Sequence, residues 1–410
     1  MRSLSRREFL AQLSLAGATT LVGCQSSPKS PHPSASPASP AQALLPVDQF
    51  SLVQYPEKLP LRLLTDRPPQ LETPLEYYVH DLTPNEAFYV RWHLSEIPTR
   101  IDLDSYRLRL GGHVDKSLSL SLDDLRKQFE PVAVVAVNQC SGNQRSFFDP
   151  HVAGAQWLNG AVGCARWTGV RLKDLLAAAK VRSGALEVTF QGLDRPPTSA
   201  VANFVKSLSL EHANQDEVML AYEMNGAPLP ILNGFPLRMV VPGWYATYWV
   251  KALSQIQVLD RPFDGYWMKS AYRIPNNDEM SEAPDKLAKD TVPIHRMLVH
   301  SFFSSTAPGD KIPVARPCSL QGLVTHSGTE VKGVEVSTDD GRNWQPAQLD
   351  ASLGRYAWRR WRLDWTPQQS GPVGLRVRAT LENGETQPEQ QWNRSGYARN
   401  AIERVPVEVV

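Results

Sequence analysis

Two patterns of hydrophobic and polar positions divide the chain into two parts. Up to about residue 275, strand-like alternation and apolar runs are mixed with helical segments, whereas from Ile294 onward short strands follow one another at regular spacing. The first pattern predicts a mixed α/β domain. The second predicts an immunoglobulin-like β-sandwich, so the chain as a whole is expected to be α+β.

The first part contains segments typical of strands and of helices. Strands are expected at 88–94, 106–114, 132–137 and 186–190, and helices at 122–129 and 172–180. In the first of these strands Arg91 and His93 alternate with apolar residues and therefore share one face. Such a pair is common on a solvated strand edge, but it is also a candidate for a site.

The most informative stretch runs from Val132 to Arg145. Its β-branched apolar run predicts a buried strand, and the turn-forming residues 138–143 follow at once. Cys140 is therefore expected at the mouth of a sheet, with Arg145 five residues beyond it. A structural cysteine would fit this position, but a thiolate ligand beside a guanidinium would suit a metal that acts on an oxyanion.

The N-terminus has the pattern of a targeting signal and not of a folded domain. A twin-arginine motif (Arg6, Arg7) precedes an apolar stretch too short to span a membrane, and residues 21–24 resemble a lipobox ending at Cys24. A plain signal peptide with a coincidental cysteine is the alternative. Residues 1–24 are thus predicted to be a signal, and 25–65 a Pro/Ser-rich linker followed by an extended arm. The twin-arginine route carries folded proteins, which suggests that a cofactor is inserted before export.

Composition excludes several classes of protein. The 43 basic and 42 acidic residues are balanced, which argues against nucleic-acid binding. Cys140, Cys164 and Cys318 are too far apart for a disulfide scaffold. Because the chain lacks a C-x-x-C-H motif, no covalently attached c-type haem is expected.

Taken together, several ordered motifs resemble the sulfite oxidase family of molybdenum enzymes. They are F-Y-V-R-W-H at Arg91 and His93, C-S-G-N-x-R at Cys140, N-G-F-P-L-R, V-P-G-W-Y-A-T-Y-W-V-K and A-Y-R at Tyr272. The segment S-T-D-D-G-R-N-W at residues 337–344 follows in the second domain. The resemblance covers about residue 82 to the C-terminus and is greatest to bacterial haem-free sulfite dehydrogenases.

This resemblance implies a set of site residues and two domains. Cys140 would be the protein ligand of molybdenum in molybdopterin. Arg91, Arg145 and Arg355 would bind sulfite and sulfate, with Tyr272 completing the pocket and His93 beside it. The pterin and its phosphate would contact Asp194, Asn233, Arg238 and Lys251; relatives often carry His in place of Asn233. The catalytic domain would span 66–285, and a β-sandwich dimerisation domain 286–410.

The implied reaction is the oxidation of sulfite to sulfate, with two electrons passed to an external acceptor such as a periplasmic c-type cytochrome. A homodimer, a periplasmic location and a lipid anchor at Cys24 are the further expectations. Alternatives within the superfamily are dehydrogenation of sulfane sulfur and reduction of nitrate or a sulfoxide. A non-catalytic envelope lipoprotein is the alternative from a different class.

Overall fold

The computed structural model of the protein describes residues 52–410. The predicted signal, the lipobox and most of the linker therefore lie outside the described residues. Nearly all of the regular structure in the described part is strand, and the helices are short. None of these helices is long and apolar enough to cross a bilayer.

The elements before residue 294 belong to the first part of the chain. In chain order the strands are β1 (Leu52–Val53), β2 (Leu61–Thr65), β3 (Gln70–Glu72), β4 (Val90–Arg91), β5 (Leu108–Gly112), β6 (Leu118–Leu120), β7 (Pro131–Gln139), β8 (Val162–Arg171), β9 (Glu187–Gly192), β10 (Val205–Ser209), β11 (Met219–Met224), β12 (Ala227–Pro228), β13 (Arg238–Val240), β14 (Leu253–Leu259), β15 (Arg273–Pro275) and β16 (Thr291–Pro293). The α-helices are α1 (Leu122–Gln128), α2 (Leu172–Ala179), α3 (Leu210–Ala213) and α4 (Tyr266–Lys269).

The second part of the chain is all β in its regular elements. Its strands are β17 (His300–Phe303), β18 (Lys311–Ile312), β19 (Cys318–Thr325), β20 (Val331–Ser337), β21 (Gln345–Pro346), β22 (Gln348–Leu349), β23 (Arg359–Trp365), β24 (Gly371–Leu381) and β25 (Glu403–Val409). They form two sheets, of order β17-β19-β23-β22 and β18-β25-β24-β20-β21. A separate apolar core that includes Phe303, Trp361 and Leu375 fills this sandwich, and the predicted α+β organisation is confirmed.

Three sheets and a hairpin make up the first part. Their orders are β1-β2-β3-β4, β10-β9-β14-β5-β6 and β12-β11-β8-β7, with β13 also paired to β11; β15 and β16 form the hairpin. Strand β5 runs parallel to β14, whereas the other pairs in that sheet are antiparallel. Buried side chains of the second and third sheets share one large core.

The predicted helices begin where local chemistry favours a helix. Helix α1 starts with a capping box, in which the Ser121 hydroxyl accepts from the Asp124 amide and the Asp124 carboxylate accepts from the Ser121 amide. Helix α2 buries Leu172, Leu175 and Leu176 on one face, as its amphipathic pattern predicts.

The predicted arm is shorter than its sequence pattern suggested. Strand β1 pairs with β2, and β2 pairs with β3, so the predicted domain boundary at residue 66 falls inside this sheet. Leu61 and Leu71 are fully buried in a small core with Trp92 and Leu232. This burial explains why residues 52–65 join the catalytic part of the chain.

Candidate functional site

Two cavities meet at Cys140. The first is lined by Tyr89, Arg91, His93, Asn138, Cys140, Ser141, Asn233, Arg238, Ala246, Thr247, Lys251 and Tyr272. The second is lined by Gln70, Arg91, Cys140, Ser141, Gly142, Arg145, Ala153, Gly154, Ala155, Trp157, Tyr272, Ser395 and Tyr397. Within residues 52–410, neither cavity has a carboxylate among its lining side chains, although each contains at least two cationic ones. Both cavities are therefore suited to anions.

Cys140 is placed by the end of a strand. Strand β7 pairs with β8 along its whole length, up to Gln139 opposite Val162. The Cys140 amide then donates to the Ala161 carbonyl (2.9 Å), and the Cys140 carbonyl accepts from the Asn143 amide (3.0 Å). The thiol is thus held at the sheet edge, as the sequence predicts, and lines both cavities.

Arg91 and His93 follow from strand β4 and both line the first cavity. The His93 ring stacks on Phe204 with 3.5 Å between ring centroids, and its Nε2 lies 2.6 Å from the Tyr272 hydroxyl. Burial lowers the pKa of His93 well below its usual range, and the positive charges of Arg91 and Lys251 lower it further. The imidazole is therefore neutral, and it can fix the orientation of the Tyr272 hydroxyl.

Arg145 lies in a cradle of glycines. A Cβ added at Gly142, Gly154 or Gly396 would come within 2.7 Å of its guanidinium nitrogens. Its Nε donates to the Gly396 carbonyl (3.1 Å), and Nη1 donates to the Ala155 carbonyl (3.2 Å). Glycine at these positions lets the backbone approach the side chain closely, which holds the guanidinium in the second cavity.

Arg238 and Lys251 provide the buried positive charge of the first cavity. The Arg238 guanidinium lies 4.8 Å from the Trp167 ring and 5.6 Å from the Trp249 ring, and Lys251 Nζ lies 4.8 Å from the Trp92 ring. Burial lowers the pKa of Arg238 to about 10 and that of Lys251 to about 7. An anion in this cavity would restore the charge of Lys251 by favouring its protonated form.

Asn233 and Asp194 differ in their relation to this cavity. Asn233 lines it; its side chain accepts from Lys58 and donates to the Tyr89 carbonyl (3.1 Å). Asp194 is buried but is not among the lining residues. Burial raises the pKa of Asp194 to about 6, while the positive charge of Lys251 opposes that rise.

Arg355 is not brought together with the other predicted site residues. It is exposed, its Nε donates to the Gly328 carbonyl (3.3 Å), and its guanidinium lies 5.1 Å from the Tyr356 ring centroid. It lines neither cavity. Strand β23 begins only at Arg359, so the alternation seen from Arg355 does not place this residue on a strand face.

Several residues that line the cavities, and one that supports a lining residue, were not predicted from the sequence. Ser141 and Asn138 flank Cys140 in the predicted turn, and this adjacency was a usable signal. Lys58, which fixes Asn233, lies in the segment interpreted as an arm. Ser395 and Tyr397 come from the sandwich domain, and no local pattern connects them to Cys140.

Similarity to known proteins identifies the family to which this site belongs. Residues 94–267 match the oxidoreductase molybdopterin binding domain, and residues 291–410 match the Mo-co oxidoreductase dimerisation domain. Sulfite oxidase of Gallus gallus is 34% identical over 361 residues, covering 84% of this chain and 77% of that protein. The chain belongs to the sulfite oxidase family. Molybdenum–molybdopterin is accordingly the cofactor of its first domain.

Two further relatives define how far the similarity reaches. Mitochondrial sulfite oxidase of Rattus norvegicus is 35% identical over 367 residues, which cover 85% of this chain but only 66% of that protein. The solved structure of the sulfane dehydrogenase SoxCD from Paracoccus pantotrophus has a TM-score of 0.71 at 25% identity. It covers 88% of this chain and 90% of that chain. Both domains of this protein therefore have the family's fold.

The first cavity fits the cofactor. Five of its lining residues keep a buried polar atom without a hydrogen-bond partner in the described part of the chain: Arg91 Nη1, Asn138 Nδ2, Ser141 Oγ, Arg238 Nε and Thr247 Oγ1. Buried polar groups are normally satisfied, so these atoms are suited to a polar ligand such as a pterin with its phosphate. Cys140 adds a soft thiolate where this cavity meets the second one.

Proposed function

We propose that this protein oxidises sulfite to sulfate and passes two electrons to an external acceptor. The observation that carries the proposal is the second cavity. It has Arg91 and Arg145 on its walls, no lining carboxylate among the described residues, and Cys140 at its junction with the cofactor cavity. A multi-oxygen anion fits such a site because planar guanidinium donors match its oxygen atoms.

The chain's own residues bind and orient the anion. Arg145 is held by its glycine cradle, and Arg91 lies 6.0 Å from the Tyr272 ring. The neutral His93 fixes the Tyr272 hydroxyl, which can then donate to an oxygen of the substrate. When bound, molybdenum supplies the two-electron redox chemistry and the oxygen transferred to sulfur. Cys140 would hold the metal at the place where the oriented sulfur arrives.

The same cations determine how the product leaves. Sulfate is a dianion that keeps all three oxygen atoms of sulfite and gains a fourth. It therefore contacts the same guanidinium groups as sulfite. Binding must therefore be strong enough to orient the anion and weak enough to release it. Sulfate is accordingly expected to compete with sulfite.

The proposal is tested with molybdenum-loaded protein under anaerobic conditions. Sulfite is added without an electron acceptor, and the molybdenum absorbance and the Mo(V) EPR signal are followed. Reduction by sulfite, absent in a matched sample given sulfate, is the expected result. No reduction in protein shown to contain molybdenum would refute the proposed reaction.

Sulfane sulfur is the second candidate substrate. Its support is the similarity to the SoxCD sulfane dehydrogenase over 88% of this chain. Thiosulfate added in place of sulfite in the same experiment separates the two candidates. Reduction by thiosulfate but not by sulfite would favour this second reaction.

The partners and location are part of the proposal. The match of residues 291–410 to the family's dimerisation domain supports a homodimer, which light scattering of the purified protein would test. The twin-arginine motif and the cysteine at position 24 support export to the periplasm with a lipid anchor there. Replacing both Arg6 and Arg7 by Lys is expected to leave the protein in the cytoplasm. A periplasmic c-type cytochrome is the proposed acceptor, and its reduction by sulfite in the presence of the enzyme is the assay.

A further inference from the structure

A segment of the sandwich domain reaches across to the second cavity. Residues 393–398 lie between β24 and β25, and Asn393 at their start is fully buried. Asn393 Nδ2 donates to the Met280 carbonyl (2.9 Å) and to the Tyr397 carbonyl (2.8 Å). The Ala398 amide donates to the Ser141 carbonyl (2.8 Å), next to Cys140. These bonds fix the segment against the catalytic domain.

Tyr397 in this segment contacts two of the groups expected to bind substrate. Its ring lies parallel to the Tyr272 ring, with 5.1 Å between centroids and 8° between planes. The Arg145 guanidinium carbon lies 5.1 Å from the centroid of the Tyr397 ring. Tyr397 lines the second cavity but not the first. Tyr397 therefore reaches the site from the side of the second cavity, although its neighbour Tyr272 lines both cavities.

We propose that Tyr397 is a positioning residue for the substrate anion, supplied to the site by the sandwich domain. The inference deepens the proposed function and rests on it. Its ring supports the face of Tyr272 on one side, while His93 holds the Tyr272 hydroxyl at 2.6 Å. The same ring makes a cation–π contact with the Arg145 guanidinium, which also has close glycine neighbours.

The ring, rather than the hydroxyl, carries this role. Within the described residues the Tyr397 hydroxyl has no hydrogen-bond partner, whereas the ring makes both contacts. Stacking and cation–π contacts of this kind each stabilise the arrangement of the groups they join. An aliphatic side chain would fill part of the space without holding either group in place.

The test uses the molybdenum-loaded full chain with Tyr397→Leu, Tyr397→Met and Tyr397→Phe. Tyr356→Leu is the matched control, because Tyr356 also joins the sandwich to the catalytic domain, through Glu217, but lines neither cavity. The measurements are the KM for sulfite, kcat, the Kd of sulfate by calorimetry, the molybdenum content and the thermal midpoint. Two aliphatic variants keep the test decisive if one of them fails to fold.

The Leu and Met variants are expected to raise the sulfite KM and the sulfate Kd by about tenfold. Their molybdenum content stays at the wild-type level and kcat changes less. Tyr397→Phe and Tyr356→Leu stay within about twofold of wild type. Wild-type values of the sulfite KM and the sulfate Kd in both aliphatic variants would overturn the inference. A rise of KM and Kd in Tyr397→Phe as large as in the aliphatic variants would also overturn it.

Failure of the proposed function gives a different result. Wild-type protein that binds sulfate but is not reduced by sulfite would refute sulfite oxidation, while the sulfate Kd of the variants still decides the role of Tyr397. Wild-type protein that binds no sulfate would overturn both the proposed sulfite oxidation and the role of Tyr397.

Discussion

The two cavities that meet at Cys140 hold positive charge in different ways. All lining residues of the first cavity lie between Tyr89 and Tyr272, so the catalytic domain builds it alone. The second cavity also takes Ser395 and Tyr397 from the sandwich domain. Lys251 in the first is packed against a tryptophan ring, whereas Arg145 in the second is held by close backbone contacts.

This difference predicts that a substitution confined to one cavity changes either cofactor binding or substrate binding, although Arg91, Cys140, Ser141 and Tyr272 line both cavities. Among the cations of the first cavity, Lys251 is only partly protonated near neutral pH until an anion arrives, because burial lowers its pKa to about 7. Arg145 instead depends on contacts from both domains, because Gly396 and Tyr397 touch it from the sandwich side. The predictions below test this separation.

The largest effect is expected at Cys140, which is one of four residues that line both cavities, with Arg91, Ser141 and Tyr272. Cys140→Ser should lower sulfite oxidation by roughly a thousandfold or more, because a hydroxyl does not replace a soft thiolate ligand. Steady-state turnover per bound molybdenum is the measurement. Cys318→Ser is the control, since Cys318 lies in the sandwich and donates to the Trp365 carbonyl. Full activity in Cys140→Ser would remove the ligand assignment.

In the second cavity, Arg145→Lys should raise the sulfite KM by roughly 10- to 100-fold while the molybdenum content stays unchanged. Lysine keeps the charge but loses the planar pair of donors and the contacts with the glycine cradle. Sulfite titrations and metal analysis of the same preparation measure both quantities. A parallel loss of molybdenum would contradict the separation of the two cavities.

In the first cavity, Lys251→Met should have the opposite outcome. The substitution removes the positive charge that would pair with the anionic phosphate of the cofactor. The fraction of chains that retain the cofactor should therefore fall about tenfold. The remaining loaded molecules should bind sulfite with a wild-type KM. Molybdenum content per chain and the KM of the loaded fraction decide this, and unchanged content would show that Lys251 does not hold the cofactor.

At the interface between the two domains, the expected effect is on stability and not on activity. Glu403 is buried, accepts from the Phe303 amide (2.8 Å) and from Asn159, and burial raises its pKa to about 7. The folded state therefore binds this proton more tightly than the unfolded state does, so stability falls as pH rises from about 4.5 to 7, by at most about 3 kcal/mol.

Glu403→Gln should remove that part of the pH dependence. Unfolding followed by denaturant titration at pH 5 and pH 8 gives the free energy of unfolding for both proteins. Wild type is expected to lose more stability over this interval than the variant. Equal losses would show that Glu403 does not change its protonation there.

Much of the fold and part of the site could be predicted from the sequence. The strand before Cys140 was predictable because its run of valines and alanines is continuous and turn-forming residues follow it directly. Helix α2 was predictable because its leucines recur on one face. The resemblance of whole motifs to those of the family then predicted that Arg91, Arg145 and Tyr272 lie in one pocket. Arg355 was expected in the same pocket, but the structure places it on the surface, since residue type and alternation do not determine which side chains converge.

The sequence by itself determined the identity and spacing of the groups near the strand end: Cys140, its turn and Arg145. These depend on contacts between residues close in the chain, which local pattern encodes. Only the tertiary structure decided that Tyr397, 257 positions after Cys140, lies in the same cavity, and that Lys58 fixes Asn233. Both contacts join segments that are far apart in sequence, so local pattern does not encode them: packing within the first domain places Lys58, and packing of the two domains places Tyr397.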